Sequence, residues 1–178
     1  MAPQAAEQPG WTEYQRRFLM TDRSALPLRD EPRMVNQAYL FAQDGWAVRV
    51  RRVFAARSGA PPVALGSTLA VKGPRLEGAR PEQEWPLREE WAAQLFAAAT
   101  AKIFKRRYPV VDAGTTGVID EFFFDNEGLL IAEFESREPL EGFAPPAWCG
   151  REITGDRRYD NESLAHRPRS GWRPQDRA

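Results

Sequence analysis

Charged side chains recur two residues apart at five places in this chain: Glu13, Gln15 and Arg17; Arg49 and Arg51; Arg80, Glu82 and Glu84; Lys105 and Arg107; Glu133 and Glu135. Side chains two apart on a β-strand point to the same face, so each group would present its charges together. One such strand could be a solvated edge. Five of them suggest a shared interior, which Lys72 and Asp120 would also face from strands of their own. Burying so many ions dry would be costly, so the interior should be wet and hold a ligand. Guanidinium and ammonium groups match phosphate oxygens, and clustered carboxylates bind hard divalent cations such as Mg²⁺ or Mn²⁺. A metal-bound polyphosphate satisfies both sets.

The elements that position these groups read mainly as strands. Apolar and polar alternation predicts strands at residues 11–20, 35–41, 45–55, 68–72, 80–85, 105–112, 117–124 and 129–136, with a turn at Gln43-Asp44-Gly45. Residues 24–28 suit one short turn of helix. Residues 57–66, with two glycines and two prolines, read as a long hairpin loop, and residues 139–146 as irregular chain. One helix is predicted over residues 87–104, with Leu87, Trp91, Leu95 and Ala99, flanked by Ala92, Phe96 and Ile103, forming an apolar stripe; Glu89 and Glu90 near its start and Lys102 and Lys105 near its end suit the helix dipole. Many strands, tight turns and one long helix predict an α+β protein built on an antiparallel barrel. Residues 1–10 read as a loose N-terminal tail, 11–168 as one domain and 169–178 as a polar C-terminal tail.

Composition narrows the function. The 25 basic and 25 acidic side chains give zero formal net charge, so nothing resembles the global field of a nucleic-acid or anionic-membrane binder. The basic run of residues 102–107 is read as alternating into the interior and not as a nucleic-acid patch. One cysteine, Cys149, excludes an internal disulfide, and one histidine, His166, disfavours a histidine metal site or a Ser/His triad. Cys149 is expected to be a packed thiol and His166 a surface residue. Trp46, Trp85, Trp91 and Trp148 are expected to pack between sheet and helices. No apolar run approaches the roughly 18 residues needed to span a bilayer, and the N-terminus has no signal pattern, so a soluble cytoplasmic protein is expected. The sequence leaves the oligomeric state open.

The same residues carry a family resemblance. EYQRRFL at residues 13–19 resembles the Glu-x-Glu-x-Lys-Phe-Leu signature of CYTH-domain proteins, the triphosphate tunnel metalloenzymes. VNQAYL, VRVRR, Lys72 in LAVKG, RPEQE, KRRY, VIDEF and GLLIAEFE follow in the family's order. PPAWCGREITGDRRYDNESLA at residues 145–165 is similar to the ending of its short bacterial members. The resemblance implies an eight-stranded antiparallel tunnel with helices packed outside, hydrolysing a small triphosphate with Mg²⁺ or Mn²⁺. Inorganic triphosphate is the favoured substrate, because nothing in the sequence selects a base or thiamine.

The implied roles follow the motifs. Arg49, Arg51, Lys72, Lys105 and Arg107 would bind substrate. Glu13, Gln15, Glu133 and Glu135 would hold the metal, and Arg17, Glu133 and Glu135 would be catalytic. Glu82, Glu84 and Asp120 would support the basic side chains or a second metal. Gln15 and Arg17 depart from the signature's second glutamate and its lysine: Gln15 keeps an oxygen ligand but removes a charge, and Arg17 cannot lose its proton. The alternative is therefore a weakly active or non-hydrolytic polyphosphate- or nucleotide-binding module. An adenylyl cyclase is a lesser option. A one-residue register shift would place Arg16 inside in place of Gln15 and Arg17.

Overall fold

A computed structural model describes residues 14–21, 23–25, 32–57, 59–74, 81–112, 115–136 and 140–176. Glu13, Arg80 and the expected N-terminal tail lie outside these. The strands are β1 (Tyr14–Met20), β2 (Arg33–Gln43), β3 (Trp46–Arg57), β4 (Ala60–Lys72), β5 (Glu82–Leu87), β6 (Ala101–Asp112), β7 (Thr115–Phe122), β8 (Leu130–Ser136) and β9 (Cys149–Glu152). Helix α1 (Glu89–Ala98) joins β5 to β6, and α2 (Asn161–His166) follows β9. All ladders are antiparallel, in the order β5-β4-β3-β2-β6-β7-β8-β1-β9.

The sheet thus has nine strands where eight were expected, and it is not closed: among the described residues no ladder joins β5 to β9. It nevertheless curls enough for side chains of β1, β3, β5 and β8 to line one cavity. The β2–β3 turn falls where the sequence placed it, with Asp44 and Gly45 both at positive φ (52° and 82°), the geometry a two-residue hairpin requires. The long loop expected at residues 57–66 is instead mostly strand. There β4 pairs with β3, while β5 pairs with β4 only from Ser67 onward, so Pro61 and Pro62 lie where one side of the strand has no partner.

The expected helix over residues 87–104 is shorter. It ends at Ala98, and Ala99 is already extended (φ −73°, ψ 144°). Residues 101–107 pair with Tyr39–Arg33 of β2 in a ladder whose bonds override the helix preference of the alanine-rich run. The buried face of α1 is one flank of the expected stripe. Ala92 and Phe96 are buried, Phe96 packing with Ala38, Ala99 and Phe104 on the sheet's outer face, while Trp91 is 58% exposed. Glu89 fixes the helix start by accepting from Arg52 Nε (3.0 Å) and Ser67 Oγ.

The other helix is not outside the sheet. Ile103, Phe122, Ile131 and Leu19 share faces with Lys105, Asp120, Glu133 and Arg17, and these apolar residues pack with Ile153, Tyr159 and Leu164. The segment 153–166 therefore fills one end of the concave side with apolar contacts and leaves the charged half open. Trp172 joins this cluster, its ring edge-on to Tyr159 at 5.1 Å, so residues expected to form a polar tail are docked. A separate outer cluster around Phe18, Tyr108, Ile119 and Phe134 is covered by Phe143 and Trp148 and includes half-buried Cys149.

Candidate active site in the concave face

The charged half of the concave face is a cavity of about 330 Å³. Strand parity delivers its walls: Arg49 and Arg51 from β3, Lys72 from β4, Glu82 and Glu84 from β5, Arg107 from β6, Glu133 and Glu135 from β8, and Gln15 and Arg17 from β1. The register is settled by Arg16. It points outward to Glu152 (Nη2 to Oε2, 2.6 Å) and the Phe143 carbonyl, so Gln15 and Arg17 face in, opposite Glu135 and Glu133.

The cations of one wall are held in a lattice of carboxylates. Arg49 Nη2 donates to Glu82 (3.0 Å) and Glu84 (2.5 Å), and Lys72 donates to Glu82. Burial pushes the Glu82 carboxyl up, but Lys72 and Arg49 pull it down further, to below the usual range. Opposite them Asp120 accepts from Arg107 Nε and Nη2, both at 2.8 Å, and from Lys105 Nζ at 2.6 Å. Burial opposes the Asp120 charge, yet these two cations hold the carboxyl well below its ordinary value. Burial likewise disfavours the Arg107 charge, but Asp120, Glu133 and Glu135 raise its pKa.

Arg51 is different. Its partner is the neutral Gln37 amide, which accepts from Nε at 2.9 Å and Nη2 at 3.2 Å with its oxygen turned to the guanidinium. Burial, then the positive charges of Arg49 and Arg107, lower the Arg51 pKa. Three guanidiniums thus converge on one cavity with an anion deficit around Arg51. Glu133 has the complementary problem: burial first, then Asp120 and Glu135, raise its pKa against the pull of Arg107, which bonds it at 3.3 Å. A cation beside Glu133 and Glu135 and an anion beside Arg51 would relieve both.

Lys105, expected to bind substrate, and Arg17, expected to be catalytic, are both held by the protein itself. The Lys105 side chain is 0% exposed and bonds to Asp120 and to Asn161 Oδ1 (3.2 Å), so it lies behind the wall and braces Arg107 through Asp120. Arg17 reaches the cavity, but its guanidinium donates to the Thr154 and Tyr159 carbonyls and to Asp160 Oδ1 (2.8 Å), tethering β1 to the segment before α2. Asp120 accepts from both Lys105 and Arg107. Gln37, Tyr39, Asp160, Asn161 and Glu162 carry no role in the sequence reading, and the last four of them line the cavity. The DRRYDNES run placed α2 in no strand pattern, and its signal is only the polar run before Leu164. His166 is exposed, beside the Tyr39 ring. Trp46, Trp85 and Trp91 are 50%, 42% and 58% exposed and do not pack as expected.

Among the described residues no three carboxylate, histidine or cysteine side chains form a metal cluster. Of the cavity's oxygen donors, Glu133, Glu135 and the Gln15 amide lie on the neighbouring strands β8 and β1. That set fits a hard cation of the kind that takes one or two carboxylates and completes its shell with water and phosphate. No described helix is long and apolar enough to cross a membrane.

No family model matches the chain. It is 36% identical over 137 residues to an inorganic triphosphatase of Acetivibrio thermocellus, a match covering 76% of this chain and 81% of that relative. A shorter match, 46% over 37 residues, joins it to an inorganic triphosphatase of Nitrosomonas europaea, covering 21% of this chain and 24% of that one. Among solved structures, an inorganic triphosphatase superposes with a TM-score of 0.62 at 24% identity, covering 86% of this chain and 94% of that chain. A putative adenylate cyclase from Bacillus halodurans shares the fold at a TM-score of 0.53 and 12% identity, covering 74% and 83%.

Proposed function

Because the chain belongs to the CYTH-domain family of triphosphate tunnel proteins, alongside relatives named inorganic triphosphatases, we propose that it hydrolyses inorganic triphosphate in the concave cavity with the help of a divalent cation. The observation that carries this reading is the Arg51 guanidinium, set between Arg49 and Arg107 with a neutral amide as partner. A highly charged anion is the ligand that turns that repulsion into binding. Tyr39 is the one aromatic ring in the cavity wall among the described residues, and it is 6% exposed, so the walls offer no face on which a base could stack. A bare phosphate chain fits better than a nucleotide.

The residues divide the work by charge. Arg49, Arg51, Lys72 and Arg107 bind phosphate oxygens and hold the chain in line, and Glu82, Glu84 and Asp120 keep those cations in place before the ligand arrives. Glu133 and Glu135, with the Gln15 amide, would hold Mg²⁺ or Mn²⁺; Glu13, the other expected ligand, lies outside the described residues. When bound, the cation supplies charge neutralisation at the phosphoryl oxygens and polarises water. Arg17 positions the closed end through Asp160 and is not required to touch the phosphoryl group.

The test is phosphate release from inorganic triphosphate, ATP and thiamine triphosphate, each with Mg²⁺ or Mn²⁺. Release from inorganic triphosphate, lost in Glu133→Gln/Glu135→Gln while triphosphate still binds, is expected. Cyclic AMP from ATP would establish a cyclase instead, and tight binding with no product would establish a binding module.

A further inference from the structure

Among the described residues, the cations that line the active cavity are held by carboxylates, with one exception. Arg49 bonds to Glu82 and Glu84, Lys72 to Glu82, Arg107 to Asp120 and Glu133, and Arg17 to Asp160. Arg51 bonds instead to the Gln37 amide, carried by the residue directly opposite it in the β2–β3 ladder. The amide oxygen faces the guanidinium, because the reverse orientation would set donor against donor. Gln37 shares the concave face with Tyr39, but it is 0% exposed and stops beneath Arg51 without lining the cavity.

Two properties follow from this choice of partner. Accepting from both Nε (2.9 Å) and Nη2 (3.2 Å) fixes the plane of the guanidinium and leaves its Nη1 side to the cavity that Arg51 lines. An amide oxygen also carries no net charge, so the contact directs the cation without neutralising it. Glu82 and Glu84 attract Arg51, but their hydrogen bonds go to Arg49 and Lys72. A glutamate in the place of Gln37 would present an acceptor at the same reach and pair with Arg51 in a buried setting, where a charge-assisted pair is strong. A phosphate would then have to compete with that carboxylate. We propose that Gln37 is the positioning residue for Arg51: it aims the guanidinium while keeping its charge for the ligand, and so sets how strongly the cavity prefers triphosphate to less charged phosphates. This role rests on the reading of the concave cavity as the triphosphate site.

The experiment titrates the metal-free full chain with inorganic triphosphate and with pyrophosphate by calorimetry, in wild type, Gln37→Glu, Gln37→Met, Arg51→Ala and Gln37→Met/Arg51→Ala. Gln37→Glu keeps the acceptor and adds a charge. It should weaken triphosphate binding at least about ten-fold, and pyrophosphate binding less, because the lost attraction scales with the charge of the ligand. Gln37→Met removes the acceptor at similar volume and should weaken triphosphate binding only about three-fold, with no further loss once Arg51 is alanine. A merely structural peg would give the opposite ranking, with Gln37→Glu spared and Gln37→Met impaired. That ranking, unchanged affinity in Gln37→Glu, or a Gln37→Met loss that persists without Arg51 overturns the role of Gln37 and leaves the cavity assignment standing. The Met cycle decides alone if Gln37→Glu does not fold. Absence of triphosphate binding in wild type overturns both the role and the cavity assignment.

Discussion

Lys105 shows how far a residue's role can depart from its place in a pattern. Its alternation with Arg107 is real, and both point to the concave side, but Lys105 stops beneath Asp120 and never reaches the cavity. Burial is the largest influence on its ammonium, followed by the attraction of Asp120, and the outcome is a pKa lowered to about 8. Between that value and the ordinary lysine range the unfolded chain holds the extra proton, so this group makes stability rise with pH across that window. Urea unfolding at pH 7.5, 9 and 10 should therefore show a rise in wild type that Lys105→Met lacks, amounting to on the order of a few kcal/mol. Equal pH slopes in the two proteins would show that Lys105 is not strained. The sequence made the cation and its face legible. It could not show depth, because depth depends on Asn161 arriving from a distant segment.

At the scale of elements, strands were more legible than helices. Period-two charge patterning survives in β1, β3, β6 and β8 because the charged side chains share the concave face while the other face packs, and in β5 although both of its faces are exposed. The helix was overextended because the alanine-rich run reads the same whether it ends at Ala98 or at Phe104, and only pairing with β2 decides. Its expected stripe is broader than the face that packs: Ala92, Phe96 and Ala99 are buried, while Trp91, on the other side of the stripe, is exposed. Phe96→Ala should accordingly destabilise the protein by about 2–4 kcal/mol and Trp91→Ala by no more than about 0.5 kcal/mol, compared by chemical denaturation. The reverse ranking would restore the face read from the sequence. Helix α2, six residues long, carries too little periodicity to be found without the sheet it plugs.

The molecule as a whole reconciles zero net charge with a strongly polarised interior: acids and bases are matched in number but arranged as a cationic wall and a carboxylate pair. A ligand that binds only the folded form stabilises it by mass action. Triphosphate should raise the melting temperature, less so at high salt, and Arg49→Ala/Arg51→Ala should abolish the shift while the protein stays folded. The central claim, that the concave cavity holds the triphosphate, is tested most directly by the crystal structure of Glu133→Gln/Glu135→Gln with inorganic triphosphate. The predicted result places phosphate oxygens within hydrogen-bond distance of Arg49, Arg51 and Arg107, with Lys105 still bonded to Asp120. Triphosphate bound on the outer surface, with Arg51 still on Gln37 alone, would contradict it.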